Sequence, residues 1–152
     1  MAIWFRQYVL EDLADMARGN MIEHLGIEFT RIGDDFLEGR MPVDERTRQP
    51  IGLLHGGASV ALAETLGSAG AYLTVDPARF YCVGLDINAN HVRSVTKGCV
   101  TGVARPLHRG RTTQVWEIRI HGQGERLVCV SRLTLAVVRQ SRIQGGDCPA
   151  QG

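Results

Sequence analysis

The chain has 152 residues, and its 17 lysine and arginine residues against 16 aspartate and glutamate residues leave a formal net charge of +1. This length suits a single domain that buries its own core without a disulfide or metal staple. The near balance of charge disfavours a nucleic-acid partner, because such proteins carry a strongly basic face. Glycine is in excess at 18 residues, about 12% against a usual ~7%. The excess indicates either many turns or close approaches of the backbone to other groups.

The cysteines and the apolar segments bear on the compartment. No two cysteines form a Cys-x-x-Cys pair, and three of the four lie in apolar, strand-like runs. We therefore expect a reducing, cytoplasmic environment without disulfides. The first residues do not resemble a signal peptide, because Arg6 interrupts the apolar start. Segment 56–75 carries one charged residue, Glu64, and is rich in glycine, alanine and serine. This composition favours a buried helix over a membrane span.

The N-terminal part predicts helices followed by a hairpin. Apolar residues recur at helical spacing over residues 9–18, and a further turn is predicted for residues 21–25. Two strands are then predicted, residues 26–32 and 36–43, joined by a Gly-Asp-Asp turn. A polar loop, residues 44–50, leads into the long helix.

That long helix is predicted for residues 56–74, and every later element is predicted as a strand. The strand predictions cover residues 81–92, 98–104, 112–121 and 126–138. In the first of them, the apolar residues at 83, 85, 87 and 89 are predicted to share one face. The second is predicted to end at Arg105-Pro106, and the last, apolar on both faces, to be covered twice. The pattern predicts an α+β domain over residues 1–140, with one antiparallel sheet against a helix, and a disordered tail over residues 141–152.

Glu64 is the residue of the long helix that points most directly to chemistry. A carboxylate is costly to bury, so it must be paired, protonated or functional. Ser68 and Tyr72 follow at i+4 and i+8, so the three side chains share one helix face. Such a face can line a substrate cavity, but it can equally be a solvated edge or a satisfied structural network.

The segment just before the helix offers a second candidate feature. The first N–H groups of a helix lack internal partners and lie at the positive end of the helix dipole. Gly56 would let a substrate carbonyl approach such an N–H group, as in an oxyanion hole. His55 offers a donor or an acid–base group, and Gln49 a neutral donor in the same loop. Each of these residues taken alone can also be an ordinary loop residue.

Two basic clusters fall at predicted strand ends or turns. One contains His91, Arg93 and Ser94, and the other contains His108 and Arg109. Arginine suits phosphate geometry, so these residues can hold the phosphates of a nucleotide-bearing ligand, but solvated turns are the ordinary alternative. The five histidines show no metal-binding spacing, and we expect no metal.

Four segments together resemble a known family. They are G-L-L-H-G-G-A-S-V-A-L-A-E-T-L-G-S from Gly52 to Ser68, V-G-L-D-I-N-A-N-H-V-R-S from Val83 to Ser94, P-L-H-R-G-R-T-T-Q-V-W from Pro106 to Trp116, and S-R-L-T from Ser131 to Thr134. They resemble hotdog-fold acyl-CoA thioesterases of the phenylacetic-acid-degradation type. Within that type, they are similar to the bacterial 1,4-dihydroxy-2-naphthoyl-CoA thioesterases of menaquinone biosynthesis and the enterobactin proofreading thioesterases. The resemblance spans roughly residues 21–138.

The resemblance implies a six-stranded antiparallel sheet wrapped around the long helix, and homodimers or homotetramers with active sites shared between subunits. By motif position, Glu64 is then the catalytic carboxylate and Gly56 supplies the N–H group that polarises the thioester carbonyl. His55 and Gln49 lie beside that carbonyl or the leaving group, and Ser68 helps place the water. The residues implied at the substrate or coenzyme A end are His91, Arg93, Ser94, His108, Arg109 and Tyr72.

The expected reaction is hydrolysis of an aromatic or medium-chain acyl-CoA, with coenzyme A as part of the substrate and no other cofactor. Glu64 would act as general base or as nucleophile, and the residues leave both open. One alternative is a non-catalytic acyl-CoA-binding module on the same fold, which loss of the acid would have favoured. Another is a dehydratase acting on hydroxyacyl thioesters, whose usual histidine and acid positions are not evident in this sequence.

Overall fold

Six antiparallel strands form one sheet, and helix α3 lies across five of them. The computed structural model describes residues 1–141, so the predicted disordered tail falls, apart from its first residue, outside the described residues. The elements are α1 (Leu10–Ala17), α2 (Met21–His24), β1 (Glu28–Ile32), β2 (Leu37–Pro42), α3 (Gly56–Leu73), β3 (Phe80–His91), β4 (Cys99–Arg109), β5 (Thr113–His121) and β6 (Leu127–Arg139). The strand order β1-β2-β4-β5-β6-β3 leaves β1 and β3 at the edges. Within the described part of the chain, no helix is both long and apolar enough to cross a membrane.

Helix α3 packs closely on the sheet because it carries glycine where strands press on it. A Cβ atom on Gly67 would lie 2.6 Å from the Leu133 side chain, and one on Gly70 would lie 2.7 Å from the Trp116 ring. Glycine costs ~1 kcal/mol relative to alanine inside a helix, and the close packing offsets that cost. The predicted small-residue helix surrounded by strands is thereby confirmed.

Strand β5 provides the largest buried side chain. Trp116 is fully buried, and its Nε1 donates to Oε1 of the buried Gln114 at 2.9 Å. The Gln114 amide in turn donates to Thr74 Oγ1 at 2.9 Å, so this polar group is satisfied. On its other side Trp116 stacks with Trp4, at 6.4 Å between ring centroids. The stack holds the N-terminal segment against the core.

Strand β4 continues through a proline, and the predicted end at Arg105-Pro106 is wrong. Strand β2 pairs with β4 only as far as Ala104, which lies opposite Leu37. Beyond Ala104 one side of β4 is therefore free, and proline, which lacks an N–H group, is tolerated at such an edge. A register shift follows between Pro106 and His108.

Strand β3 carries a bulge that breaks the predicted alternation. The register with β6 shifts between Gly84 and Asp86. Ile87 and Ala89 pack against the core, whereas Val83 and Leu85 are 41% and 62% exposed. The prediction that these four side chains share one face is therefore wrong, because a bulge inserts an extra residue and resets the alternation.

Strand β6 is covered by α3 on one face only. Cys129, Ser131, Leu133 and Leu135 are buried, whereas Arg132 on the opposite face is exposed. The prediction that β6 is covered twice is therefore wrong within residues 1–141, because no second layer of this chain packs on that outer face.

Candidate active site

The loop before α3 is held rigidly by backbone hydrogen bonds. The His55 N–H donates to the Thr47 carbonyl at 2.8 Å, and the Leu54 N–H donates to the Val95 carbonyl at 2.7 Å. His55 is the N-cap of α3, and its Nδ1 accepts from the Gly57 N–H at 2.8 Å. Neutral histidine has one donor and one acceptor nitrogen, so Nε2 must carry the proton. In this arrangement His55 can donate a hydrogen bond, but it has no free lone pair with which to act as a base.

Gln49 and Gly56 offer two further donors at the start of α3. Gln49 Oε1 accepts from the Ile51 N–H at 2.6 Å, which leaves the side-chain NH₂ group free to donate outward. The Gly56 N–H has no acceptor among residues 1–141, as expected for the first residue of a helix. Both residues line one cavity of about 370 Å³.

This cavity, called here the helix-mouth cavity, also contains the first basic cluster. Its lining comprises Gln49, Leu53, Leu54, Gly56, Ser59, His91, Val92, Arg93, Ser94 and Val128. A Cβ atom on Gly56 would lie 2.8 Å from His91 Nε2, so the glycine leaves room for the imidazole. The fold thus brings Gln49 and Gly56 together with His91, Arg93 and Ser94, although about forty residues separate the two segments.

A smaller basic cavity adjoins the helix-mouth cavity and shares Arg93, Ser94 and Val128 with it. Its volume is about 220 Å³, and its lining adds Lys97, Gln123 and Arg126 but no acidic residue. No motif or spacing in the sequence points to these three residues. Arg126 and Gln123 lie at the turn between β5 and β6, and only the order of strands in the sheet places that turn beside Arg93.

Glu64 lies on α3 two turns beyond this mouth and faces strand β3. Its half-buried carboxylate accepts from Ser68 Oγ at 3.2 Å. A Cβ atom on Gly84 would lie 2.3 Å from Glu64 Oε1, so glycine at this position makes space for the carboxylate. The sequence alone does not reveal the importance of Gly84, because that importance depends on which strand faces the helix. Tyr72 follows on the same helix face and lines a separate cavity near the N-terminal segment.

The second predicted basic cluster lies elsewhere. His108 and Arg109 are exposed at the end of β4 and line none of the cavities described above. Arg109 Nη1 donates to the Ile3 carbonyl at 3.2 Å and so fastens the N-terminal segment. Within one chain these residues do not join the first cluster. Residues 1–141 also contain no group of three side chains suited to holding a metal ion.

Comparison with known proteins identifies the class. The family model described as Thioesterase superfamily matches residues 51–129, which include the helix mouth, Glu64 and Gly84. This chain belongs to the thioesterase superfamily, and its sheet wrapped around one helix is the hotdog fold of that family.

The relatives are similar over nearly their whole length. The chain is 55% identical over 136 residues to 1,4-dihydroxy-2-naphthoyl-CoA hydrolase of Escherichia coli strain K12, covering 90% of this chain and 99% of that protein. It is also 55% identical over 136 residues to the proofreading thioesterase EntH of Cronobacter turicensis, covering 90% and 98%. Among solved structures, a mutant of thioesterase PA1618 from Pseudomonas aeruginosa superposes with a TM-score of 0.90 at 50% identity, covering 91% of this chain and all of that one. The protein is therefore a thioester hydrolase.

Proposed function

We propose that this thioesterase hydrolyses acyl-CoA thioesters to the free acid and coenzyme A. The observation that carries the proposal is the free Gly56 N–H at the mouth of an 18-residue helix that also bears the Glu64 carboxylate. A backbone donor at a helix N-terminus stabilises the negative charge that develops on a thioester oxygen. Relatives named for a CoA hydrolase and a proofreading thioesterase support the same reaction.

In the proposed reaction the oxygen of water attacks the thioester carbonyl carbon. The Gly56 N–H donates to the resulting oxyanion, a contribution of ~2.7–4 kcal/mol in other enzymes. Glu64 takes the proton from water, or attacks the carbonyl itself to give an anhydride that water then cleaves. The carbon–sulfur bond then breaks, and the sulfur takes a proton, from the protonated Glu64 in the first route or from water in the second, to leave as the thiol of coenzyme A. Gln49 and His55 donate hydrogen bonds near the carbonyl or the departing sulfur, and Ser68 holds the Glu64 carboxylate.

The positions of Glu64 and Gly56 support an active site shared between two subunits. They are eight residues apart on one helix, or about 12 Å along its axis. Glu64 faces Gly84, whereas Gly56 faces His91 at the other end of β3. If two copies of β3 pair antiparallel about a two-fold axis near residues 87 and 88, each Gly84 lies opposite the other copy's His91. This pairing brings Glu64 of one chain to the helix mouth of the other.

Strand β3 has the properties expected of such an interface. It is an edge strand of twelve residues whose outer hydrogen-bonding groups have no strand partner within residues 1–141. Val83 and Leu85 are exposed beside this edge. A homodimer with two shared sites follows, and two such dimers would form a tetramer, which sedimentation would distinguish from the dimer.

The side chains along the cavities and helix α3 suggest where the coenzyme A end and the acyl end of the substrate bind. Arg93, Lys97 and Arg126 form a cavity wall without acidic residues, which suits the phosphates of coenzyme A. Ser68 and Tyr72 continue the Glu64 face of α3 away from the helix mouth, which suits the acyl group. An aromatic or medium-chain acyl group is compatible with this placement. The proposed hydrolysis requires no cofactor besides the coenzyme A of the substrate.

The central experiment measures thiol release from a panel of acyl-CoA thioesters with wild type and Glu64→Gln. We expect Glu64→Gln to lose at least ~10²-fold in kcat/KM, the lower end for a positioned acid or base. The control is Glu45→Gln, which alters an exposed glutamate that lines neither the helix-mouth cavity nor the adjoining basic cavity. Undiminished turnover by Glu64→Gln would contradict the assignment, and tight acyl-CoA binding without thiol release would favour the non-catalytic module.

A mixed-chain experiment tests the shared site. Chains carrying Glu64→Gln and chains carrying Gly56→Ala should each be inactive alone, because each damages one half of every site. After the two are unfolded together and refolded, random pairing should restore about a quarter of the wild-type activity, since each mixed dimer contains one intact site. Absence of any restored activity would show that both groups act within one chain.

A further inference from the structure

The N-terminal segment closes over the C-terminal end of α3. The Phe5 N–H donates to the Leu73 carbonyl at 2.8 Å, and the Trp4 indole donates to the Gly33 carbonyl at 2.7 Å. This anchoring places Tyr8 across a cavity from Tyr72. The cavity, called here the tyrosine cavity, has a volume of about 120 Å³ and is lined by Arg6, Tyr8, Asp12, Met16, Tyr72, Leu73 and Pro77.

Tyr8, which lines this cavity, carries a hydroxyl group without a hydrogen-bond partner in the described part of the chain. Its hydroxyl oxygen is buried and has no hydrogen-bond partner among residues 1–141. Buried polar groups in native proteins are nearly always paired, because an unpaired one costs ~1–3 kcal/mol. Burial raises the pKa of the Tyr8 phenol and outweighs the opposite effect of the Arg6 guanidinium; a phenol is protonated at neutral pH in any case and can donate a hydrogen bond. The neighbouring Arg6 guanidinium stacks over the Tyr8 ring at 4.1 Å and lies 3.6 Å from Asp12.

The tyrosine cavity lies at the far end of the helix face that begins with Glu64. Ser68 and Tyr72 follow Glu64 at successive turns, so Tyr72 is about 12 Å further along the helix axis. An acyl group with its thioester carbon at Glu64 that extends along this face would end at the tyrosine cavity. The tyrosine cavity is smaller than the ~150 Å³ of an apolar cavity that holds one benzene molecule, and it is partly polar, so it suits only the oxygen-bearing tip of an acyl group.

We propose that the tyrosine cavity is the outer end of the acyl site and that the Tyr8 hydroxyl hydrogen-bonds an oxygen substituent at the far end of the acyl group. Tyr8 is then a specificity-determining residue, selecting long acyl groups with a terminal hydroxyl or carbonyl oxygen over plain hydrocarbon ones. This inference rests on the proposed acyl-CoA hydrolysis and deepens it by naming the feature of the acyl group that is recognised.

The test compares wild type with Tyr8→Phe on three substrates. They are 4-(4-hydroxyphenyl)butanoyl-CoA, the same thioester without the phenolic hydroxyl, and 4-hydroxybenzoyl-CoA, whose hydroxyl is too close to the carbonyl to reach Tyr8. We expect Tyr8→Phe to lower kcat/KM about tenfold for the first substrate only, the effect of losing one hydrogen bond. The other two substrates should change less than about twofold by the same reasoning.

The controls separate recognition from folding. Tyr8→Phe removes a hydroxyl that makes no hydrogen bond within the described chain, so its thermal midpoint should match or exceed that of wild type. Equal losses on all three substrates, or no loss on any, would overturn the role of Tyr8 while leaving the proposed hydrolysis intact. Failure of wild type to release thiol from any acyl-CoA would instead refute the proposed function, and this inference with it.

Discussion

The substitution Gly84→Ala should reduce catalytic activity while leaving the stability of the fold nearly unchanged. The added Cβ would lie 2.3 Å from Glu64 Oε1, so the carboxylate must retreat by about 1 Å to reach ordinary contact distance. The displaced atom, Glu64 Oε1, lies at the end of a flexible side chain, so its displacement should cost little free energy of folding. For a catalytic group, however, a displacement of about 1 Å can reduce the rate ~10²-fold.

The stability side of this prediction has its own physical basis. Gly84 does not have a positive φ, so alanine can adopt its backbone conformation. An alanine that fits in this way gains ~0.4–1 kcal/mol, because it restricts the unfolded chain. This gain opposes the small cost of moving Glu64, and we expect a thermal midpoint within a few degrees of wild type.

The assay pairs thiol release with thermal unfolding, and Gly39→Ala is the matched control. A Cβ on Gly39 would lie 2.8 Å from the backbone carbonyl oxygen of Glu28, which cannot swing away. Gly39→Ala should therefore lose ~1–3 kcal/mol of stability, while its folded fraction keeps near-normal kcat/KM. If Gly84→Ala retained full activity, or lost activity only in proportion to unfolding, the reasoning about Glu64 would be refuted.

Three further predictions concern packing, thiol reactivity and charge. Gly70→Ala should destabilise the protein by ~1–3 kcal/mol in denaturant unfolding, because its Cβ would lie 2.7 Å from the Trp116 ring; an unchanged midpoint would mean that α3 can shift away from β5. Burial raises the pKa of the Cys82 thiol to about 11. Because the thiolate is the reactive form, the rate constant for alkylation of Cys82 by iodoacetamide in the folded protein should be low at pH 8 and should still increase with pH above pH 9. A rate already level by pH 9 would contradict this. Added salt should raise the KM for acyl-CoA but not for the matched acyl-pantetheine, and Lys97→Ala or Arg126→Ala should weaken that salt effect; equal salt effects on both thioesters would argue against phosphate binding at these residues.

The elements that were predicted best from the sequence are those in which apolar residues recur with a single period. Strand β5 alternates cleanly, and Trp116, Ile118 and Ile120 are all fully buried as that alternation predicts. Helix α3 was predicted over residues 56–74 and is observed as Gly56–Leu73. In both elements the pattern follows directly from which face contacts the core, so local sequence was enough.

Predictions failed where the outcome depended on a neighbouring strand. Pro106 was taken as a strand end, yet it is accommodated because β2 stops pairing at Ala104. The bulge at Gly84 likewise arises from the pairing of β3 with β6. It cannot be recognised from the alternation of apolar and polar residues in the β3 sequence. Lys97 and Arg126 escaped notice for the same reason, since only the assembled sheet places them in one cavity.

The candidate site was predicted in part because some of its members are close in sequence. Glu64, Ser68 and Tyr72 share a face by helical spacing, and Gly56 precedes them at the helix start. Tyr8 could not be linked to them, because its position depends on the N-terminal segment folding back onto Leu73.

The long outer edge of β3 has a consequence for the newly made chain. An extended edge with free hydrogen-bonding groups and exposed apolar side chains is a template for aggregation until it is covered. Val83 and Leu85 lie in the middle of that edge, while Asp86 beside them is charged and discourages indiscriminate pairing. If the proposed pairing of two β3 strands covers this edge, substitutions that weaken the pairing should reduce the yield of soluble protein before they alter the turnover of the protein that remains soluble.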